Sequence, residues 1–307
     1  MRKLIVLLSL ALLAGCTGPG VLNAFTPSSG YNQAMNLPYD PATGQTLDVY
    51  TPEGARNAPV VVFFYGGRWS EGDKQEYRFV GQALASRGIV AVVPNYRKYP
   101  QVRFPSFVED GAQAVKWARS NAAAYGGNPD QLFVMGHSSG AHIAAMLALN
   151  ESYLKKVGGS RGWLRGMIGL AGPYNFLPIT DPVLRDIFGP PERFEQSQPV
   201  FFADGLNPPL LLLHGENDEI VWPDNTRSLA KAVANAGGPV ETVIYPKMSH
   251  TFIIGAFGSV LRGSTDVVDH VDEFVKRMAT YQRPSPQTPS DIQAVPLEIE
   301  SVPLSSP

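Results

Sequence analysis

The sequence is 307 residues long, with 44% hydrophobic and 10% aromatic residues, so it suits one large domain or two small ones with a sizeable core. Its 25 basic and 27 acidic residues leave a formal net charge of −2. That balance gives no basis for nucleic-acid binding or for electrostatic attraction to an anionic membrane surface.

A targeting segment opens the chain. Arg2 and Lys3 precede the apolar run LIVLLSLALLAG, which is typical of a signal peptide and is too short to span a bilayer comfortably. The run ends in Leu-Ala-Gly-Cys16, which resembles the lipobox of bacterial lipoproteins. Removal of residues 1–15 would leave an acylated Cys16 and a protein anchored by lipid to the membrane of the bacterial cell envelope. The alternative is an ordinary signal peptide and a secreted protein.

Two segments of biased composition are predicted to flank the folded domain. Residues 16–42 contain the Pro- and Gly-rich stretch TGPGVLNAFTPSSG and are interpreted as the lipidated cysteine and a tether. Residues 283–307 are rich in Pro and Ser and are predicted to be a disordered tail. The domain is then expected over residues 43–282. Because Cys16 is the only cysteine, this domain is expected to fold without an intramolecular disulfide.

Strand-like and helix-like segments alternate through the domain. The segment QTLDVYTP (45–52) alternates as an antiparallel edge strand would. Continuous apolar runs, typical of strands buried on both faces of a parallel sheet, occupy 58–67, 88–96, 131–136, 164–172, 209–215 and 240–246. Helical patterns occupy 75–87, 105–125, 138–150, 224–236 and 266–281. This order predicts an α/β protein with a single doubly wound, mostly parallel sheet.

One connection interrupts the alternation. More than thirty residues separate GLAGPYNF from the next strand, and connections of this length are often functional. Residues 173–208 are therefore predicted to form a short lid insertion. Its phenylalanines fit a lid or an acyl-binding wall, and equally a small core under a loop; they are Phe188, Phe194, Phe201 and Phe202.

Ser138 stands between two glycines where a predicted strand meets a predicted helix. The motif Gly136-His-Ser138-Ser-Gly140 follows QLFVM and precedes AHIAAMLAL. Serine is a favoured helix N-cap, and a G-x-S-x-G turn between strand and helix is also how a nucleophile is exposed. We expect Ser138 to begin the helix and to present its hydroxyl as a nucleophile.

A nucleophilic serine of this kind needs an acid and then a histidine later in the chain. Of the five histidines, His250 and His270 follow a plausible acid. His270 lies in an amphipathic helical pattern, whereas His250 lies in the loop after VETVIYP, so His250 is predicted to be the base. The acid is expected after LLLLHG, where Asp218 is preferred over Glu216 and Glu219.

A turn containing glycines follows the first long apolar run. This glycine turn, YGGRWSEGDK (65–74), lets the backbone approach a substrate, and its N–H groups can point at a developing negative oxygen. Alone, Gly-Gly after a strand is merely a turn. Beside the ordered Ser138, Asp218 and His250, it is interpreted as part of an oxyanion hole, completed by the N–H of Ser139.

These motifs together resemble the alpha/beta hydrolase superfamily, and more narrowly its carboxylesterases with hormone-sensitive-lipase-like, feruloyl-esterase-like and kynurenine-formamidase-like members. The resemblance covers about residues 43–280. It implies that the N–H groups of Gly67, Arg68 and Ser139 form the oxyanion hole. The family's turn normally begins with His where this chain has Tyr65, and Arg68 stands in place of a third glycine. We hypothesise that Arg68 favours an anionic or polar acyl group.

Residues and resemblance together predict a serine hydrolase that cleaves a small-molecule carboxylic ester through an acyl-enzyme intermediate. No metal or organic cofactor is expected, since the histidines and acids show no metal-ligand spacing such as H-E-x-x-H. One alternative is amide hydrolysis, by a formamidase or peptidase, with the same three residues. Another is a non-catalytic lipoprotein that uses the fold for binding.

Overall fold

A single eight-stranded sheet forms the centre of the computed structural model, which describes residues 18–281. The strands are β1 Tyr31–Asp40, β2 Gln45–Pro52, β3 Ala58–Phe64, β4 Val90–Pro94, β5 Gly127–His137, β6 Leu164–Leu170, β7 Leu210–Gly215 and β8 Val240–Tyr245. They lie in the order β1-β2-β4-β3-β5-β6-β7-β8. The pairs β1–β2 and β2–β4 are antiparallel, and the remaining pairs are parallel.

Helices fill the connections between the strands. Among the described residues they are α1 Gly18–Ala24, α2 Arg78–Ala85, α3 Ser106–Asn121, α4 Ser139–Leu149, α5 Ser152–Lys156, α6 Pro182–Phe188, α7 Asp224–Asn235, α8 His250–Gly255 and α9 Val267–Thr280. The step from β3 to β4 runs in one direction along the sheet, and the later parallel steps run in the other. Because such crossovers are right-handed, α2 lies on one face and α3, α4 and α7 lie on the other. This is the predicted α/β class with a single, doubly wound, mostly parallel sheet.

The central strands form because their side chains are buried on both faces. Every residue of β4 (VAVVP) and β7 (LLLLHG) is buried. Continuous branched apolar side chains suit this position, since they pack well on a pleated surface. The carboxyl ends of β3, β5, β7 and β8 lie at one edge of the sheet, so the loops that follow them are neighbours.

The prediction of a tether over residues 16–42 was wrong for its described part. Residues 18–42 contain α1 and β1, and β1 pairs along its length with β2. Asn23 holds α1 to the domain, donating to the Gln75 carbonyl (2.8 Å) and accepting from the Phe79 N–H (3.1 Å). The polar sequence of β1 contains no apolar run because this edge strand is largely exposed. Segment 45–52 is consequently the second strand of the sheet and not the predicted edge strand.

The insertion between β6 and β7 contains short helices. Helix α6 is followed by 3-10 turns at Pro191–Ser197 and Pro199–Phe202. Phe188 and Phe194 are buried and belong to the main core, whereas Phe201 is exposed. The two buried rings therefore pack in the main core, and neither forms the separate small core that was the alternative to an acyl-binding wall.

The last helix of the described part, α9, ends at Thr280. No helix within residues 18–281 is long and apolar enough to cross a membrane. The predicted signal peptide (1–15), the acylated Cys16 and the predicted tail (283–307) lie outside the described residues.

Candidate active site

Ser138 lies in the sharp turn between β5 and α4, at the carboxyl edge of the parallel strands. Its backbone has φ 54° and ψ −125°, a strained conformation for a residue with a Cβ. The Ser138 N–H donates to the Leu170 carbonyl at the end of β6 (2.9 Å), which ties the turn to the sheet. Ser138 occupies the N-cap position of α4, as predicted, but its hydroxyl makes no capping bond. The Ser138 hydroxyl is therefore available for a hydrogen bond outside the helix.

Two glycines allow this turn because the backbone around it is crowded. A Cβ at Gly140 would collide with the carbonyl oxygens of Phe64 and Tyr65 at the end of β3. A Cβ at Gly136 would collide with the backbone of Gly140. The G-x-S-x-G pattern therefore reflects close approach of α4 to the ends of β3 and β5.

The structure brings Ser138, His250 and Asp218 into one hydrogen-bonded triad. His250 Nε2 lies 2.9 Å from Ser138 Oγ, and His250 Nδ1 lies 2.7 Å from Asp218 Oδ2. All three residues are buried. Because an ionised carboxylate only accepts hydrogen bonds, His250 Nδ1–H donates to Asp218, and Nε2 accepts from the serine hydroxyl. His250 begins α8, so it lies at a helix start rather than in the predicted loop.

Asp218 is held as a carboxylate by several donors. Its Oδ1 accepts from the N–H groups of Ile220 (2.9 Å) and Val221 (2.8 Å), while its Oδ2 faces His250 and, at 3.1 Å, His214 Nε2. Burial raises the pKa of Asp218, but these hydrogen bonds outweigh burial and hold the pKa well below its ordinary value. The acid of the triad is therefore ionised at neutral pH.

The competing acids and the competing histidine lie elsewhere. Glu216 forms an exposed ion pair with Arg227, and Glu219 is exposed. His270 lies on α9, where its Nδ1 is 2.8 Å from the Tyr245 hydroxyl. Burial next to His250 thus distinguishes Asp218 from its neighbours in the loop.

His214 is a partner of the triad that sequence reasoning missed. Its Nε2–H donates to the Val221 carbonyl (2.8 Å) as well as facing Asp218, and its Nδ1 accepts from the Thr226 hydroxyl (2.8 Å). This buried imidazole therefore fixes both the acid and the loop after β7. The signal available in the sequence was the four-residue spacing from His214 to Asp218 at a strand end.

His137 contacts His250, the predicted base. Its Nε2–H donates to the His250 carbonyl (3.0 Å), and the two ring centroids lie 4.8 Å apart. Burial, followed by repulsion from a charged His250, lowers the pKa of His137 to about 3. His137 is consequently neutral at physiological pH and adds no charge that would oppose protonation of His250.

The glycine turn passes directly beside Ser138. A Cβ at Gly66 would lie 3.0 Å from the Ser138 Cβ. Gly67 adopts φ +136° and Arg68 adopts φ 51°, which turns the backbone sharply after β3. Within residues 18–281, no protein group accepts a hydrogen bond from the backbone N–H of Gly67, Arg68 or Ser139. The N–H groups predicted for the oxyanion hole are thus available to bind a substrate oxygen.

Tyr65, which stands where the resembling family has His, anchors the glycine turn in the core. Its hydroxyl donates to Asn95 Oδ1 (2.8 Å) and accepts from Lys98 Nζ (3.1 Å). Its ring stacks on those of Tyr77 and Tyr96, with centroids 5.4 and 4.7 Å away. Burial raises the pKa of Tyr65 far above its ordinary value, so the phenol is neutral. Its polar contacts position the turn from the side of the core.

Trp69 links the glycine turn to α4 and to the insertion. The indole Nε1–H donates to His142 Nδ1 (3.3 Å), and His142 Nε2–H donates to the Ser197 carbonyl (2.7 Å). The Trp69 ring meets the Phe188 ring edge-on, with centroids 4.8 Å apart. Burial lowers the pKa of His142 to about 4, so the ring stays neutral and accepts from Trp69. His142 therefore connects α4, on which it lies, with the glycine turn and the insertion.

A cavity of about 540 Å³ opens onto Ser138. Its walls come from the glycine turn, the start of the insertion and the loop after β7, including Arg68, Trp69, Phe176, Leu177, Leu184 and Trp222. None of the four phenylalanines predicted as an acyl wall lines this cavity. A larger cleft of about 710 Å³ beside Tyr245 and Phe252 contains no triad residue. Of these two cavities, the one at Ser138 is therefore the candidate substrate-binding site.

The Arg68 side chain at the cavity mouth is paired. Its Nη2 lies 3.0 Å from Asp181 Oδ2, in an ion pair whose side chains are 60% and 41% exposed. Asp181 also caps α6 by accepting from the N–H groups of Val183 and Leu184. The hydrogen bond from Leu184 and the contact with Arg68 hold the pKa of Asp181 below its ordinary value. This carboxylate offsets the positive charge that was hypothesised to attract an anionic acyl group.

A buried serine, histidine and acid at the carboxyl edge of such a sheet, beside a turn with unused N–H groups, define an alpha/beta hydrolase. Within the described part of the chain, no three His, Cys, Asp or Glu side chains are grouped so as to hold a metal ion. Residues 47–233 match the family described as BD-FAE, and the chain belongs to this family.

Known proteins resemble the chain over most of its length. It is 30% identical over 289 residues to isoprenylcysteine alpha-carbonyl methylesterase ICME of Arabidopsis thaliana, covering 87% of this chain and 66% of that protein. It is 30% identical over 249 residues to esterase LipQ of Mycobacterium tuberculosis, covering 73% and 58% respectively. The chain thus spans less than two thirds of the length of these relatives. The solved structure of a truncated carbohydrate esterase from gut microbiota is 20% identical, with a TM-score of 0.72 over 83% of this chain and 99% of that one, a likeness of fold.

Proposed function

We propose that the protein is a serine hydrolase that cleaves a small-molecule carboxylic ester through an acyl-enzyme intermediate. The observation that carries the proposal is the pair of contacts, 2.9 and 2.7 Å, that joins Ser138 through His250 to Asp218 beside a cavity. The esterase names of the relatives support ester chemistry over amide chemistry.

The first half of the reaction acylates Ser138. Its Oγ attacks the ester carbonyl carbon while His250 Nε2 takes the hydroxyl proton. Negative charge develops on the carbonyl oxygen, and the N–H groups of Gly67, Arg68 and Ser139 stabilise it. The intermediate then collapses, and His250 returns the proton to the departing alcohol. Asp218 remains ionised and stabilises the imidazolium.

The second half releases the acid. A water molecule attacks the acyl carbon while His250 takes one of its protons, and the same N–H groups stabilise the second intermediate. Collapse returns the proton to Ser138 Oγ and frees the carboxylic acid. The neutral state of His137 matters in both halves, because a second charge beside His250 would oppose each protonation.

The test compares residues 17–307 with Ser138→Ala and with Ser264→Ala, which alters an exposed serine away from the triad. Hydrolysis of p-nitrophenyl acetate, butyrate, octanoate and palmitate is measured. Ser138→Ala should lower kcat by on the order of 10⁶, while Ser264→Ala should behave like the unaltered protein. Equal activity in folded unaltered and Ser138→Ala proteins would contradict the proposal.

A fluorophosphonate probe separates the alternatives. Labelling of Ser138 in a protein that hydrolyses none of these esters would indicate an activated serine acting on amides. Absence of labelling, in a folded protein without esterase activity, would indicate the binding lipoprotein instead.

We also propose that Cys16 is acylated and anchors the protein in the bacterial cell envelope. The support is the sequence Leu-Ala-Gly-Cys16 after a basic and an apolar segment. Expression of the full chain in bacteria with labelled palmitate should give a labelled membrane-bound protein, and Cys16→Ser should give neither label nor membrane retention. Retention of Cys16→Ser in the membrane fraction without label would overturn the anchor.

A further inference from the structure

Phe25 and Val260 form an exposed apolar pair on the surface beside α1. Phe25 is 61% exposed and directly follows α1, and Val260 is 60% exposed in the segment after α8. The two lie close together because the Ser259 hydroxyl donates to the Phe25 carbonyl (2.7 Å). Leu22 packs beside them on Gly258, where an added Cβ would lie 2.6 Å from Leu22 Cδ2. We call Phe25 and Val260 the apolar pair.

The two segments that carry the apolar pair are nearly free of charge. Residues 18–30 and 255–265 contain no acidic residue, and Arg262 is their one charged residue. In the whole chain 17% of the residues are charged, so segments of this combined length would ordinarily carry several charges. A surface with exposed Phe and Val and without acids suits contact with lipid, since it costs little to bury and does not repel anionic headgroups.

Helix α1 is fixed to the domain, so a lipid on Cys16 would be attached through a short link. Asn23 makes hydrogen bonds of 2.8 and 3.1 Å to the domain. One residue separates Cys16 from the start of α1, and two residue steps span at most about 7 Å. The seven residues of α1 add a rise of about 10 Å before Phe25. A bilayer that holds the acyl chains of Cys16 is therefore within reach of the apolar pair.

We propose that Phe25 and Val260 insert into the interface of the membrane that holds the acylated Cys16, so that the domain lies against the lipid surface in one orientation. The inference rests on the proposed acylation of Cys16. It goes beyond anchoring, because a lipid on a flexible tether would leave the domain free to rotate above the membrane. Apolar side chains of this kind reach the boundary between headgroups and acyl chains.

The experiment uses the full chain, acylated in bacteria and reconstituted in vesicles of phosphatidylethanolamine and phosphatidylglycerol. Because Cys16 is the only cysteine and its sulfur would carry lipid, an introduced cysteine is the only free thiol. Phe25→Cys, Val260→Cys and the control Leu206→Cys are each labelled with the fluorophore NBD. Leu206 is 69% exposed and lies in the loop before β7. Labelled palmitate establishes acylation, and thermal unfolding establishes that each variant is folded.

Brominated lipids should quench NBD at positions 25 and 260 several times more strongly than at position 206, and emission at both positions should shift to shorter wavelength on reconstitution. Adding Val260→Asp to the protein labelled at position 25 should lower the quenching, whereas adding Leu206→Asp should not.

Two results would overturn the insertion while leaving the anchor intact, both in an acylated, vesicle-bound protein. The first is quenching at position 25 or 260 no stronger than at position 206. The second is quenching at position 25 that Val260→Asp does not lower. A chain that carries no acyl label would overturn both the anchor and the insertion.

Discussion

Ser138, His250 and Asp218 are buried and joined by contacts of 2.9 and 2.7 Å, whereas Arg68 and Trp222 at the cavity mouth are each more than half exposed. The triad stands at strand ends, where the sheet and neighbouring backbone determine each position. The cavity mouth is formed by loops, the glycine turn and the loop after β7, where Arg68 and Trp222 are exposed to solvent. Changes at the triad should therefore abolish catalysis, while changes at the mouth should have small effects on substrate preference or on the attachment of the insertion.

After Ser138→Ala, Asp218→Asn should show the largest loss of activity among changes at the triad and the cavity mouth. The substitution replaces one carboxylate oxygen by an amide NH₂, which faces either His250 Nδ1–H or the backbone N–H groups of Ile220 and Val221. If the NH₂ faces His250, Nδ1 must lose its proton in order to accept, so the proton moves to Nε2. Nε2 then no longer accepts the serine proton. We expect kcat to fall by about 10⁴, measured with p-nitrophenyl butyrate.

The matched control is Glu219→Gln, which neutralises an exposed acid one residue away in the same loop. Its kcat should stay close to that of the unaltered protein. If the two variants lost activity equally, burial of Asp218 beside His250 would not be the reason for its role.

Acid should destabilise the buried region through its two neutral histidines. Burial lowers the pKa of His137 to about 3 and that of His142 to about 4, against about 6.5 in the unfolded chain. The unfolded state therefore binds more protons as the pH falls below 6.5, and the free energy of unfolding decreases. Each histidine contributes a slope of about 1.4 kcal/mol per pH unit between its two pKa values.

Urea unfolding at pH 7, 6 and 5 measures this slope. In His142→Gln the decrease per pH unit below 6.5 should be smaller than in the unaltered protein by the contribution of one histidine. The substitution also removes the ring that accepts from Trp69, so a lower kcat with little change in KM is expected if Trp69 positions the oxyanion donors. An unchanged slope in His142→Gln would contradict the assignment of a neutral, buried His142.

The smallest effect is expected at the Arg68–Asp181 ion pair. Because both side chains are substantially exposed, a double-mutant cycle with Arg68→Ala and Asp181→Ala should give a coupling of about 0.2–1 kcal/mol in the free energy of unfolding. The coupling should decrease with added salt, since exposed charges are screened. A coupling well above this range, insensitive to salt, would mean that the mouth is held as firmly as the triad.

Sequence order predicted much of what is buried. The apolar runs at 58–67, 88–96 and 209–215 contain β3, β4 and β7, because strands buried on both faces need no alternation. The order Ser138, Asp218, His250 selected the residues that the structure brings together, since strands of one sheet end at one edge.

What escaped prediction depends on contacts between distant segments. Strand β1 is polar and is recognised only by its pairing with β2. The bond from Trp69 to His142 joins residues 73 positions apart, and no local pattern in the sequence encodes it. Likewise, the aromatic residue that lines the cavity from the insertion is Phe176 rather than any of the four predicted phenylalanines.

The proposed mechanism requires covalent acylation of Ser138, and rapid-quench measurement with p-nitrophenyl acetate detects this step. We expect a burst of p-nitrophenol close to one equivalent per chain, with the acetyl group found by peptide mass spectrometry on Ser138 and absent in Ser138→Ala. Turnover that persists in Ser138→Ala, or an acetyl group found on another residue, would contradict it.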